Sequence, residues 1–164
     1  MKKILSVAFA FLPMLAVSPS NASELSDAIA EDYQSHLAPL WDHFHQNPEL
    51  SLMEFKTAQR LTKEIRDVGF EVTEGVGGTG IVAILKNGSG PMIMVRADMD
   101  GLPVVEQSGL VNASTIMSKD WDGNNVGVMH ACGHDVHITS LVGTARYMSS
   151  HRDQWSGTLM LIGQ

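Results

Sequence analysis

The stretch Gly127–His137, GVMHACGHDVH, holds the chain's single cysteine and three of its seven histidines. His130, Cys132 and His134 alternate at every second position. In an extended segment Cys132 and His134 would point the same way, within reach of one ion. Gly133 between them permits backbone angles that other residues avoid. Asp135 then stands where a helix cap would, and Ile138, Leu141, Val142, Ala145 and Met148 recur at helical spacing, which predicts a helix over 136–150. A thiolate and an imidazole at a helix start suit zinc or another transition metal, and the helix N-terminus favours an ionised Cys132. Two other readings stay open at this point: a cysteine nucleophile assisted by a histidine, and a buried, inert thiol.

Working outward, PMIMV at 91–95 reads as an apolar strand running into RADMDGLP at 96–103. Arg96, Asp98 and Asp100 alternate, so an extended chain puts them on one face, beyond the carboxyl end of a strand where α/β proteins gather their sites. Two acids this close repel unless a cation or arginine compensates; a solvated strand end before a turn is the plainer alternative. GIVAILK at 80–86 is a second apolar strand, and NGSG between the two predicts a β-hairpin. FEVTEGV at 70–76 and TLMLIGQ at 158–164 are further strand candidates, and 112–127 reads as a loop.

Helices account for the first third. Leu25, Ile29, Tyr33, Leu37, Leu40, Trp41 and Phe44 step by three and four, the mark of an amphipathic helix kinked at Pro39. Asn47-Pro48 within HQNPELS ends it. A second helix over 54–68 turns Phe55, Ala58, Leu61, Ile65 and Val68 inward and stops at Gly69. The class is α/β, with a mixed sheet flanked by helices. His43, His45 and His151 read as surface or packing residues.

The N-terminal 22 residues stand apart. Lys2 and Lys3 precede an apolar run over 4–17, and Ser20-Asn21-Ala22 supplies small residues for a signal peptidase. The expectation is a signal peptide over 1–22, cleaved after Ala22, leaving an exported protein over 23–164 in the periplasm or outside the cell and not membrane-bound. The apolar run is shorter than the roughly 20 residues a membrane span needs. Cleavage would move the formal charge from -7 to -9, which argues against nucleic acid or an anionic membrane as partner. A hydrophobic content of 44% argues against disorder.

HQNPELS, RADMDGLP and MHACGHDVH, in this order and followed by a helix, resemble the metal-dependent amidohydrolases of the aminoacylase, hippurate hydrolase and indole-acetyl-amino-acid hydrolase type. The resemblance covers about residues 25–164. It implies the N-terminal part of a two-metal, zinc-peptidase-like catalytic domain, without the family's lid domain. It implies that Cys132 and His134 bind metal, that Asp100 lies near the metals and supports their ligands, and that Asp98, Asp135 and His137 have supporting roles. The cofactors would be divalent ions, two in a complete enzyme, drawn from zinc, manganese, cobalt and nickel. The substrate would be a small N-acyl amino acid or similar amide, and a full-length form could assemble as a homo-oligomer.

In the family, a strand like TLMLIGQ runs into Pro-Ala-Glu-Glu, which carries the general base and a further metal ligand. The sequence stops at Gln164, so the expectation is a fragment that is inactive alone, its last strand lacking sheet partners and exposing an edge. A non-catalytic metal-binding or defunct fragment, and a hydrolase using Cys132 as nucleophile, are the alternatives.

Overall fold

The computed structural model describes residues 20–164, with side chains from Glu24 onward. The expectations for residues 1–19 lie outside the described residues. Among the described residues no helix is long and apolar enough to cross a membrane.

The first helical segment is α1 (Ser20–Asp32), a π-helical turn (Tyr33–Leu37) and α2 (Ala38–Gln46). The irregularity falls just before Pro39, as its chemistry dictates. Proline has no N–H to give and its ring crowds the carbonyl four residues back, so the Ala38 N–H reaches Tyr33 O instead. Leu37, Leu40 and Phe44 are buried, but Leu25, Ile29 and Tyr33 are exposed. The apolar stripe is therefore covered only in its second half. In α3 (Phe55–Asp67), Ala58, Leu61 and Ile65 are buried as expected, whereas Phe55 at the first turn is 67% exposed. Gly69, at φ +91°, ends that helix.

Strands β1 (Glu71–Val76), β2 (Gly80–Asn87), β3 (Met92–Ala97) and β6 (Gly157–Gly163) form a sheet in the order β1-β2-β6-β3. β2 runs antiparallel and β3 parallel to β6, so the sheet is mixed. Ile81, Ala83, Leu85, Leu159 and Leu161 make its buried face, packed with Leu61, Ile65, Leu141, Val142 and Ala145. Val82, Ile84, Met160 and Ile162 on the other face are only half-buried.

Two expectations need correction here. NGSG does not make a hairpin, because β6 lies between β2 and β3. The link must cross two strand spacings, about 10 Å. It passes so close over the start of β6 that a Cβ at Gly157 would collide with the Pro91 carbonyl. The last strand does not expose an edge either: β6 is hydrogen-bonded on both sides. The sheet's edge strands are β1 and β3, and on β3 Met92, Ile93 and Met94 are 61%, 60% and 57% exposed. The loop over 112–127 contains a small hairpin, β4 (Met117–Lys119) with β5 (Asn125–Gly127). The long helix α4 (His134–Ser150) packs on α2, α3 and the sheet.

Candidate metal centre

The three quoted motifs meet at Gly101. Its N–H donates to Glu49 O at 2.6 Å, and Leu102 and Met129 exchange both backbone hydrogen bonds, at 2.8 and 3.1 Å. A Cβ at Gly101 would lie 2.9 Å from Pro48 Cβ and 3.0 Å from Val128 Cγ1, so only glycine lets the segments close. Beyond β3 the chain is held by Gln164, whose N–H donates to Ala97 O at 3.0 Å and whose carbonyl accepts from Met99 N at 2.8 Å. Asp98 and Asp100 are thereby fixed beneath the start of α4.

His134 is the first residue of α4. Its Nδ1 faces both Asp100 Oδ1, at 2.9 Å, and the Asp100 carbonyl, at 3.0 Å. Both are acceptors, so Nδ1 carries the proton and Nε2 keeps its lone pair. That lone pair points toward Asp98, whose Oδ2 is 3.9 Å away. The other Asp98 oxygen, Oδ1, accepts from Arg96 Nη2 at 2.5 Å. His137 lies nearly one turn along α4, its ring stacked on His134 at 5.5 Å between centroids. One ligand atom each from Asp98, His134 and His137 falls within 4.8 Å of the others.

Cys132 is exposed and is not part of that cluster. The extended geometry expected for 130–134 does not form. Ala131 and Cys132 sit in a turn, and Gly133 enters the left-handed region at φ +74° to start the helix. Among the described residues no hydrogen bond joins Cys132 Sγ to a histidine, as an activated nucleophile would require.

Asp135 does not cap α4; Gly133 occupies that position with no side-chain hydrogen bond. Its carboxylate turns inward instead, where Oδ2 accepts from Trp41 Nε1 and faces His45 Nδ1, both at 2.8 Å. His45 Nε2 faces Glu106 Oε1 at 3.2 Å. Burial works against the Glu106 carboxylate, but hydrogen bonds from Ser108 and the Ser114 amide, with His45 alongside, hold it below the usual carboxylate range. His45 is therefore not a surface or packing residue: it is buried and ties α2 to α4 and the 106–114 loop. Its one legible signal was position, within HQNPELS and four residues after Trp41.

His130 is buried beside this network, and neither ring nitrogen has a hydrogen-bonding partner. Burial pushes its imidazole below the usual histidine range, against the pull of Asp135.

The residues present fit a divalent metal. Two imidazoles and a carboxylate are a donor set that zinc, cobalt, nickel and manganese accept. His134 is held by a carboxylate on its far nitrogen, the arrangement that fixes metal-binding histidines.

Comparison with known proteins agrees. Residues 94–164 match the sequence profile of Peptidase family M20/M25/M40. Over these residues the chain is similar to this family. It is 34% identical over 140 residues to the IAA-amino acid hydrolase ILR1-like 5 of Arabidopsis thaliana, a match covering 85% of this chain and 30% of the relative. It is 38% identical over 134 residues to the hippurate hydrolase of Campylobacter jejuni, covering 81% and 32%. Among solved structures, an aminohydrolase described from methicillin resistant Staphylococcus aureus superposes with TM-score 0.75 at 30% identity, over 87% of this chain and 36% of the other. The YXEP protein of Bacillus subtilis, described as a dinuclear metal binding peptidase from the M20 family, gives TM-score 0.70 at 32% identity, over 82% and 35%. The chain thus spans about a third of the length of the relatives it matches.

Proposed function

We propose that this chain supplies part of the metal centre of an enzyme that hydrolyses amide bonds in N-acyl amino acids or similar conjugates. The observation that carries the reading is the cluster of Asp98, His134 and His137 where β3 ends and α4 begins, with Asp100 orienting His134. The relatives named for hippurate and IAA-amino acid hydrolysis support the substrate class. A divalent ion held there supplies a Lewis acid and lowers the pKa of water at the site. The chain's own residues keep the His134 lone pair directed at the cluster, neutralise one Asp98 oxygen through Arg96, and fix the helix start through Asp135 and His45.

The carboxylates around the cluster are committed. Asp98 faces the cluster, Asp100 holds His134, Asp135 holds Trp41 and His45, and Glu106 holds the Ser114 amide. None of these four acids is left free to act as general base. The 164 residues by themselves are therefore proposed to bind metal without useful turnover. On the strength of Lys2-Lys3, the apolar run and Ser20-Asn21-Ala22, the protein is also proposed to be exported.

The test assays benzoyl- and acetyl-amino acids with the 164-residue chain and with a chain continued to the family's full length. Release of free amino acid by the longer form, stopped by a chelator and restored by zinc, manganese, cobalt or nickel, is expected. Chelator-resistant cleavage lost in Cys132→Ser would replace this reading with the cysteine-nucleophile one.

A further inference from the structure

We propose that Asn87 is a site of deamidation, and that loss of its side-chain amide irreversibly unclasps the turn that leads into β6. Among the asparagines of the chain, Asn87 alone is followed by glycine. Gly88 lacks the side chain that would shield its N–H. It lies in the left-handed region at φ +77°, with nothing within 4 Å of where a Cβ would stand. Among the described residues no backbone hydrogen bond engages that N–H, and residues 88–90 are exposed. Nucleophile, side-chain amide and water therefore meet at one surface. In the reaction the Gly88 nitrogen attacks Asn87 Cγ, the Cγ–Nδ2 bond breaks, and Nδ2 leaves as ammonia with the Gly88 proton. Water then opens the cyclic imide at either carbonyl, leaving aspartate or its β-linked isomer. The other asparagines are less exposed to this chemistry. Asn47 precedes Pro48, which has no N–H. The rest precede Ala22, Ala113, Asn125 and Val126, whose side chains crowd the attacking nitrogen.

The consequence follows from what the amide holds. Asn87 ends β2 and pairs with Gly157 at the start of β6. Its Nδ2 donates to Arg152 O at 2.7 Å and to Trp155 O at 2.6 Å. Those bonds clasp the helical turn Arg152–Gln154, which joins α4 to β6, and hold Trp155 where it packs on the core. A carboxylate has no proton to donate, and its oxygens would face two carbonyl oxygens. The intact clasp also restrains Asn87, so the reaction proceeds through local opening. Once the amide has gone, the clasp cannot close again.

The 164-residue chain is incubated in mildly alkaline buffer, folded and in urea, and followed by peptide mass mapping. Asn87 should exchange NH2 for OH before any other asparagine, and more slowly in the folded chain than in urea. Gly88→Asp, a residue that the left-handed region accepts, should lose most of the conversion. Asn87→Asp carries the product from the start and should lower the urea midpoint by about 1 M. The parent chain aged to full conversion should show the same drop, which serves if that variant does not fold. An Asn87 still intact in the folded chain when the chain in urea is fully converted overturns the site. So does equal conversion in Gly88→Asp. An unchanged midpoint after full conversion overturns the clasp.

Discussion

Replacing Asp135 with alanine removes an acceptor shared by two donors. Trp41 Nε1 and His45 Nδ1 each lie 2.8 Å from Asp135 Oδ2, and the carboxylate is 2% exposed. A buried donor left without a partner costs about 1–3 kcal/mol. Half-buried Trp41 can recruit water and falls at the low end; buried His45 cannot. Together they give roughly 2–4 kcal/mol. An acid lost from the first turn of a helix adds about 0.3–1 kcal/mol. The expected destabilisation is therefore roughly 2–5 kcal/mol, a large share of the 5–15 kcal/mol typical of a domain. Urea unfolding at neutral pH, followed by circular dichroism, measures it for Asp135→Ala and for Asp135→Asn. The asparagine keeps one acceptor oxygen and should lose about half as much. A loss under about 1 kcal/mol in the alanine variant would refute the claim that this network fixes the start of α4.

Other outcomes follow from the same geometry. Asp100→Ala should weaken zinc or cobalt binding about 10–100-fold while leaving the circular dichroism spectrum unchanged, because it removes the group that orients His134; isothermal titration checks this. Glu106, whose folded pKa lies below its ordinary value of 4.5, stabilises the fold fully above that pH and loses the contribution as pH falls through its folded pKa. Glu106→Gln should therefore unfold at milder acidity than the parent protein but with a shallower pH dependence below pH 4.5, measured as urea midpoints against pH. On the open edge of β3, Ile93→Lys should reduce aggregation of the purified chain at equal stability, since a lysine blunts an unpaired strand; light scattering reads it.

The sequence carried much of this arrangement. Ile138, Leu141, Val142 and Ala145 marked α4, and the apolar runs at 80–86, 91–97 and 157–163 became β2, β3 and β6. Periodicity succeeds for α4, β2 and β6 because their buried faces meet one continuous core. It fails where the partner lies far along the chain. Leu25, Ile29 and Tyr33 have the same spacing as Leu37, Leu40 and Phe44, but spacing says nothing of what covers a face. NGSG is a good local hairpin signal, and only β6, 70 residues downstream, decides that β2 and β3 do not pair. His45 lies in the middle of a readable motif, yet its role depends on Asp135, 90 residues away. The turn at Cys132 was hidden because alternation was read as extension, and Gly133 at φ +74° reverses the chain instead.

The most direct test of the metal centre is zinc-edge X-ray absorption on the chain loaded with one equivalent of zinc. The account predicts nitrogen and oxygen ligands at about 2.0–2.2 Å, with imidazole scattering from His134. A shell without histidine scattering would contradict it.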